Sequence, residues 1–281
     1  MAMVFKPGDV LLIEAGASSI LGKVITKLTG SVVSHSALAI SPSEILEMDL
    51  TGITKNKITD TNYFERGIHL RRHRTQNDLT KVLNIANAYH KEEIPYNLAG
   101  LILLGGVIVL REIFIDSKNK AIIDKILSTL CWLLDKLINE KMHGKNSHAM
   151  TCSQFVYQCF HDAGGKYRLI IKDGVLQQTP DKDGVVCLAN LLANRPDLKP
   201  YKIQEYNDTN INEEALASEL YNAISNQPET ASPLSKDQLD DTLSRVKRFM
   251  ELAEKMAEIK KIPLQALFAP ADLLEHTENL I

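Results

Sequence analysis

Residues 32–50 constrain the fold more than any other stretch of the chain. Two strand-like runs, Val32–Ile40 and Ile45–Leu50, flank the turn former Ser41-Pro42-Ser43. This pattern reads as an antiparallel hairpin, with side chains alternating between two faces. His35, Ala37 and Ala39 then share one face, and Ser36, Leu38 and Ile40 the other. A hairpin centred on Ser41 sets 39 opposite 43, 37 opposite 45 and 35 opposite 47. Directly opposed residues point to the same face, so Glu47 is expected beside His35. The two alanines leave room on the histidine's side for a helix end to approach. Asp49 is the fallback neighbour, one pleat further on.

The flanking sequence supplies more strands and several helices. Val10-Leu11-Leu12-Ile13 follows the turn Pro7-Gly8-Asp9 and reads as a buried strand; Ile68–Arg71 reads as another. Helical spacing places Ile20, Val24 and Leu28 on one face of residues 18–29, and Gly30 supplies a stop. Residues 76–91 form an amphipathic helix with Leu79, Val82, Leu83, Ala86 and Tyr89 on its apolar side. The apolar run Leu98–Leu110 is too short to span a bilayer, which takes about 20 residues. It pairs with an apolar helix over 120–141 (Ile122, Ile126, Leu130, Leu133, Leu134, Leu137) as an αα-hairpin. A helix over 151–163 ends at Gly164-Gly165.

Short strands and a short helix at Val185–Asn194 follow. Beyond 205 the composition turns to Glu, Lys, Leu and Ala. Asn226–Ser235 reads as a linker, and Ser235-Lys236-Asp237-Gln238 as the capping box of a long helix. Pro263 and Pro270 limit the last helices. The expectation is an α+β chain: a core domain at 1–205 carrying a helical insertion at 98–148, and a helical extension at 206–281.

Composition excludes some functions. At 281 residues, 44% hydrophobic, 24% charged and net charge −3, the chain has no global basic field to recruit nucleic acid. Arg71-Arg72-His73-Arg74 reads as a solvated strand end. The four cysteines, Cys131, Cys152, Cys159 and Cys187, include no CxxC pair, which points to reduced thiols in a cytosolic-type environment. Met1–Val10 lacks the pattern of a cleaved signal peptide. The expected location is cytoplasmic, or outside the cell by a route without a cleaved N-terminal signal. His143, His148, Cys152 and Cys159 do not match zinc-ligand spacing, and no phosphate loop or GxSxG elbow occurs. No metal or cofactor is expected.

The chemistry-bearing residues are Cys152 and His35. Cys152 opens the 151–163 helix, capped by Thr151 or Ser147, where the helix dipole favours a thiolate. The backbone N–H of Cys152 or Ser153 is placed to donate to an oxyanion. Cys159, two turns on, reads as structural. Taken singly, a buried cysteine is commonly a small core residue and a lone histidine a satisfied core one. Glu47 beside His35 supplies the third member of a nucleophile–base–orienter set.

Five motifs in order then carry a resemblance: Lys6-Pro7-Gly8-Asp9-Val10-Leu11-Leu12, Val33-Ser34-His35-Ser36-Ala37-Leu38, Ile45-Leu46-Glu47-Met48, Pro95-Tyr96-Asn97 and Thr151-Cys152-Ser153-Gln154-Phe155-Val156. Over roughly residues 4–190 the chain resembles the circularly permuted papain-fold group of the NlpC-type superfamily, the YiiX/YaeF-like amidases. Lecithin:retinol acyltransferase is a more distant relative. The chain departs from the group's pattern at Met48, Asn97 and Gln154. The resemblance implies a permuted papain-like fold with Cys152 as nucleophile, His35 as base and Glu47 as orienter. Ser153, Tyr96 and Asp9 would support the substrate or the oxyanion.

The expected activity is that of a cysteine hydrolase of amidase or peptidase type, passing through a thioester on an amide or ester substrate: a peptide, an isopeptide or a lipid amide or ester. Two alternatives stand beside it. One is an acyltransferase or phospholipase-like enzyme, with residues 98–140 touching membrane or an acyl chain. The other is a non-enzymatic interaction protein with a degenerate papain-like core.

Overall fold

A computed structural model describes residues 5–17, 19–49, 51–75, 78–97, 117–141, 150–172, 188–193, 195, 197–203, 218, 221–222, 233–260 and 269–281, together with 100, 102, 103, 105, 106, 109 and 110. In chain order the elements are β1 (Val10–Glu14), α1 (Ile20–Thr29), β2 (Val33–Ala39), β3 (Glu44–Asp49), β4 (Gly52–Lys57), α2 (Tyr63–Arg66), β5 (Ile68–Arg71), α3 (Thr80–Lys91), α4 (Lys120–Lys141), α5 (Cys152–Ala163), α6 (Leu188–Ala193), α7 (Lys236–Lys260) and α8 (Pro270–Glu275). The class is α+β. The chain gathers into two compact units: Met1–Leu98, Asn146–Gln178 and Gln265–Ile281 form the first, Ala99–Lys145 and Thr179–Leu264 the second.

The first unit is built on a five-stranded antiparallel sheet in the order β4-β3-β2-β1-β5. Alternation gives the sheet two apolar faces. On one, Val10, Leu12, Leu38, Leu46 and Met48 pack with Val82 and Ala86 of α3, with Phe155, Val156, Cys159 and Phe160 of α5, and with Leu273 of α8. On the other, Leu11, Ile13, Ala37, Ala39 and Ile45 pack with Phe5 and Ile58. The alanines therefore do not receive the cysteine helix, as the sequence suggested. Its body lies on the opposite face, and the alanines fill a small core of their own.

The hairpin register also differs from the expected one. Ala37 pairs with Glu47, Leu38 with Leu46 and Ala39 with Ile45, so Glu47 is not directly opposite His35. The cause is Ser41. Its Oγ accepts from the backbone N–H of Ser43 (3.2 Å) and Glu44 (3.0 Å), and Ile40 N–H donates to Glu44 O (2.9 Å). These bonds centre the turn on Pro42, one residue later than expected. The shift is two residues, an even number, so every side chain keeps its face and Glu47 moves one step along the diagonal.

The last residues belong to the first unit and not to an outlying helical extension. Arg72 N–H donates to Ile281 O (2.7 Å), Ile281 N–H to Arg72 O (2.8 Å) and Arg74 N–H to Asn279 O (3.0 Å). On its other side the same segment bonds to 170–172, through Glu278 N–H to Ile170 O (2.9 Å) and Lys172 N–H to His276 O (2.9 Å). Helical periodicity in the flanking sequence gives no warning of backbone bridges made across two hundred positions.

In the second unit, α4 packs along α7. Ile123, Ile126, Leu127, Leu130, Leu134 and Ile138 of α4 are buried, as are Leu243, Val246, Phe249, Leu252 and Met256 of α7. A polar seam runs through this pair: Thr242 Oγ1 donates to Asp124 (2.6 Å), Lys120 bonds Asp124 and Asp241, and Arg245 Nε donates to Ser128 Oγ (2.9 Å). The capping box forms as expected, with Gln238 N–H donating to Ser235 Oγ (3.2 Å) and Ser235 N–H to Gln238 Oε1 (2.9 Å). Most of the apolar run 98–115, the other half of the expected αα-hairpin, lies outside the described residues. Among the described residues no helix is long and apolar enough to cross a membrane.

One glycine in the first unit is under two constraints at once. Gly8 has φ +90°, donates its N–H to Ala39 O (2.7 Å), and a Cβ there would lie 2.3 Å from Leu79 Cδ1 and 3.0 Å from Leu79 Cβ. Gly8→Ala is expected to destabilise the protein by about 2 kcal/mol, read as a lower urea midpoint with an unchanged m-value.

Candidate active site

The cysteine helix starts where two local signals agree. Thr151 takes an extended backbone (φ −85°, ψ 170°) and its Oγ1 accepts from Gln154 N–H (3.3 Å), the N-cap arrangement worth about 1 kcal/mol. Thr151, not Ser147, is therefore the cap; Ser147 lies outside the described residues. Cys152 is the first helical residue. The preceding backbone is tied to the Pro95-Tyr96-Asn97 segment: Asn97 N–H donates to Met150 O (2.8 Å) and Met150 N–H to Pro95 O (3.2 Å). That motif anchors the start of α5 through its backbone, and the half-buried Tyr96 packs at the margin of the cluster holding Cys152.

The histidine is set by a strand irregularity. Ile13 pairs with His35 but Glu14 pairs with Val33, so Ser34 is an extra residue in β2. A bulge breaks the two-residue alternation. Val33, though odd-numbered, packs with Leu38 on the α5 face, while His35 lies on the same face as Glu47. His35 Nε2 meets Glu47 Oε2 at 2.6 Å. The diagonal offset explains how residues that are not directly opposed still touch. Nε2 is committed to Glu47, which leaves the ring's other nitrogen for Cys152, and the charges of the thiol and the imidazole act on each other.

Charge follows from these contacts. Burial opposes an imidazolium at His35, but the hydrogen bond and charge of Cys152, then of Glu47, overcome it and push its pKa up to about 10. Burial opposes a thiolate at Cys152 too, yet the His35 hydrogen bond and charge, then the backbone and hydroxyl of Ser36, bring its pKa down. Both shifts favour the thiolate–imidazolium form of the pair. The helix N-terminus adds to the same preference. The other described thiols go the opposite way. Burial holds the Cys131 thiol up at about 12, and burial with the Asp162 charge holds Cys159 well above its usual value.

Glu47 is only 2% exposed, and both its oxygens are occupied. Asn56 Nδ2 donates to Oε1 (2.8 Å); His35 and Tyr63 Oη both reach Oε2. Burial alone would raise this carboxyl's pKa, but His35, then Tyr63 and Asn56, bring it below the usual value. Asn56 and Tyr63 were not singled out in the sequence. Asn56 was findable: the Thr51-Gly52 turn sets Glu47 opposite Thr54, and Asn56 follows on the same face. Tyr63 comes from a short helix with no comparable signal.

The remaining expected site residues divide. Ser153 is buried at the start of α5 beside Cys152, its Oγ 3.5 Å from Thr151 Oγ1. Asp9 accepts from Arg72 Nε (2.7 Å) and Nη2 (2.8 Å) and from Lys6 N–H (2.7 Å). It is 1% exposed and fastens the entry of β1 to the strand end at Arg72, so its oxygens are spent on structure. Asp49 closes the next turn on Thr51 and Thr54 instead of reaching His35. His143, His148 and Cys187 lie outside the described residues.

At pH 6 an ordinary thiol of pKa ≈ 8.5 is roughly 0.3% ionised. Alkylation of Cys152 by iodoacetamide, followed by intact mass, should therefore be almost as fast at pH 6 as at pH 8. In His35→Ala the same change of pH should slow it on the order of a hundredfold. Equal reactivity of Cys152 and the buried thiols would contradict the ion pair.

No family model, curated protein or solved structure matches this chain.

Proposed function

We propose that this protein is a cysteine hydrolase of amidase or peptidase type built on a permuted papain-like core. The observation that carries the reading is the His35 Nε2–Glu47 Oε2 hydrogen bond at 2.6 Å, on a histidine that favours the Cys152 thiolate while Cys152 and Glu47 favour its imidazolium. The order of the histidine strand before the cysteine helix, on an antiparallel sheet with α5 against it, supports the same reading.

The steps follow from the resting charges. The Cys152 sulfur attacks the carbonyl carbon of an amide or ester, and the carbonyl π pair moves to oxygen. Backbone amides at the start of α5 are the donors for that oxyanion. As the tetrahedral centre collapses, the bond to the leaving nitrogen or oxygen breaks and His35 gives that atom its proton. The result is a thioester on Cys152 and a neutral imidazole. His35 then takes a proton from water, the hydroxide adds to the thioester, and the thiolate leaves with the imidazolium restored. Glu47 holds the ring orientation and favours its charged form throughout.

The test uses the full chain with fluorogenic peptide amides and acyl esters, reading product release and the mass of Cys152. An acyl adduct on Cys152 and turnover lost by about a thousandfold or more in Cys152→Ala and His35→Ala are expected. Activity should also fall as pH rises through about 10, where His35 loses the proton it must donate. Transfer of the acyl group to an added amine or alcohol in preference to water would replace hydrolysis by acyl transfer. No adduct with any amide or ester would sink the enzyme reading.

A further inference from the structure

We propose that Tyr63 is a positioning residue of this site, acting through Glu47 to keep the working proton on His35. The proposal rests on the activated Cys152–His35 pair described above and goes beyond it. Glu47 Oε2 is shared: it accepts from His35 Nε2 and from the Tyr63 hydroxyl. Oε1 is taken by Asn56 at 2.8 Å. A buried carboxylate with only an imidazolium for company would compete for the imidazolium's proton, and the neutral acid–imidazole pair would form instead. Two further donors stabilise the ionised carboxylate without neutralising it. Glu47 then attracts the proton electrostatically but does not take it.

Tyr63 is built for that place. The two rings sit 5.8 Å apart at 51°, so the tyrosine also walls one side of the imidazole. The Arg66 guanidinium lies over the Tyr63 ring at 5.2 Å, and its Nε donates to Glu14 O (2.8 Å), fastening α2 to the end of β1. Arg66 adds a positive charge beside Tyr63, next to a cluster whose thiolate, imidazolium and carboxylate sum to −1. Burial, then the Glu47 charge, raises the Tyr63 hydroxyl far above its usual pKa, so it stays a donor at any pH the fold tolerates. The groups bearing on the pair are thus Ser36 at Cys152 and, through Glu47, Asn56 and Tyr63, while Arg66 acts on Tyr63.

Tyr63→Phe keeps the ring and removes only the hydroxyl. The measurement is the pH profile of Cys152 alkylation by iodoacetamide in the full-length variant, with urea unfolding alongside. The acid limb should move up by about half a pH unit or more, because a Glu47 that takes the proton from His35 no longer holds the thiolate. Alkylation near pH 5.5 should then fall several-fold while the rate at pH 8 stays within about twofold. Asn56→Ala should move the limb in the same direction. A Tyr63→Phe profile that superimposes on the wild type overturns the proposal and leaves the ion pair standing. So does a rate reduced by one factor at every pH, the mark of altered access or packing. Wild-type alkylation that shows no dependence on His35 overturns both the pair and the role given to Tyr63.

Discussion

A carboxylate buried in a protein persists only if its lone pairs find donors, and Glu47 is the point on which the first unit is organised. Its donors come from three directions: His35 from the neighbouring strand, Asn56 from the strand beyond, Tyr63 from the helix after that. The strands among them are already paired by their backbone ladders, and Glu47 adds side-chain ties across them. Glu47 fixes β2, β3, β4 and α2 against one another through a single side chain. The polarity of the thiol–imidazole pair follows from that fixed charge.

The sheet's two faces divide the labour. The face carrying α3, α5 and α8 holds the large side chains, Phe155 and Phe160 among them, and supplies most of the apolar burial. The opposite face keeps small residues, Ala37 and Ala39, next to the histidine and its partners. Cys152 belongs to the first cluster, yet its sulfur reaches His35 and Ser36. The bulge at Ser34 lets one strand serve both, because it changes which face the residues on either side of it present.

Much of this was legible in the sequence where the code is local. Gly30 ends α1 in the left-handed conformation (φ 66°), Thr151 caps α5, and Ser235 and Gln238 close their box. These features depend on a few consecutive residues and on side chains that bond their own backbone. Glu47 still lies beside His35 although the expected register was two residues off, because strand parity forgives even errors and punishes odd ones. What escaped was non-local. Strand β4 alternates apolar and polar too weakly to announce itself, so Asn56 went unread. Tyr63 sits on a single helical turn, and the segment 277–281 finds its partners only through tertiary contact. Asp9 illustrates the reverse failing: a motif position with a polar side chain was assigned to the site, but its charge is consumed by Arg72.

The way the chain divides has a consequence for dissection. The backbone passes between the two units at 98–99, 145–146, 178–179 and 264–265. Neither unit is a continuous stretch, and the first is closed by residues 277–281 bonding to 72–74 and 170–172. Loop-closure entropy makes such distant pairings late and dependent on the rest of the fold. A clone cut near residue 205, where composition alone suggests a boundary, keeps the cysteine, the histidine and the glutamate but discards a backbone-bonded segment of the unit that carries them. Inactivity in such a fragment would report a missing structural edge, not a missing catalytic group.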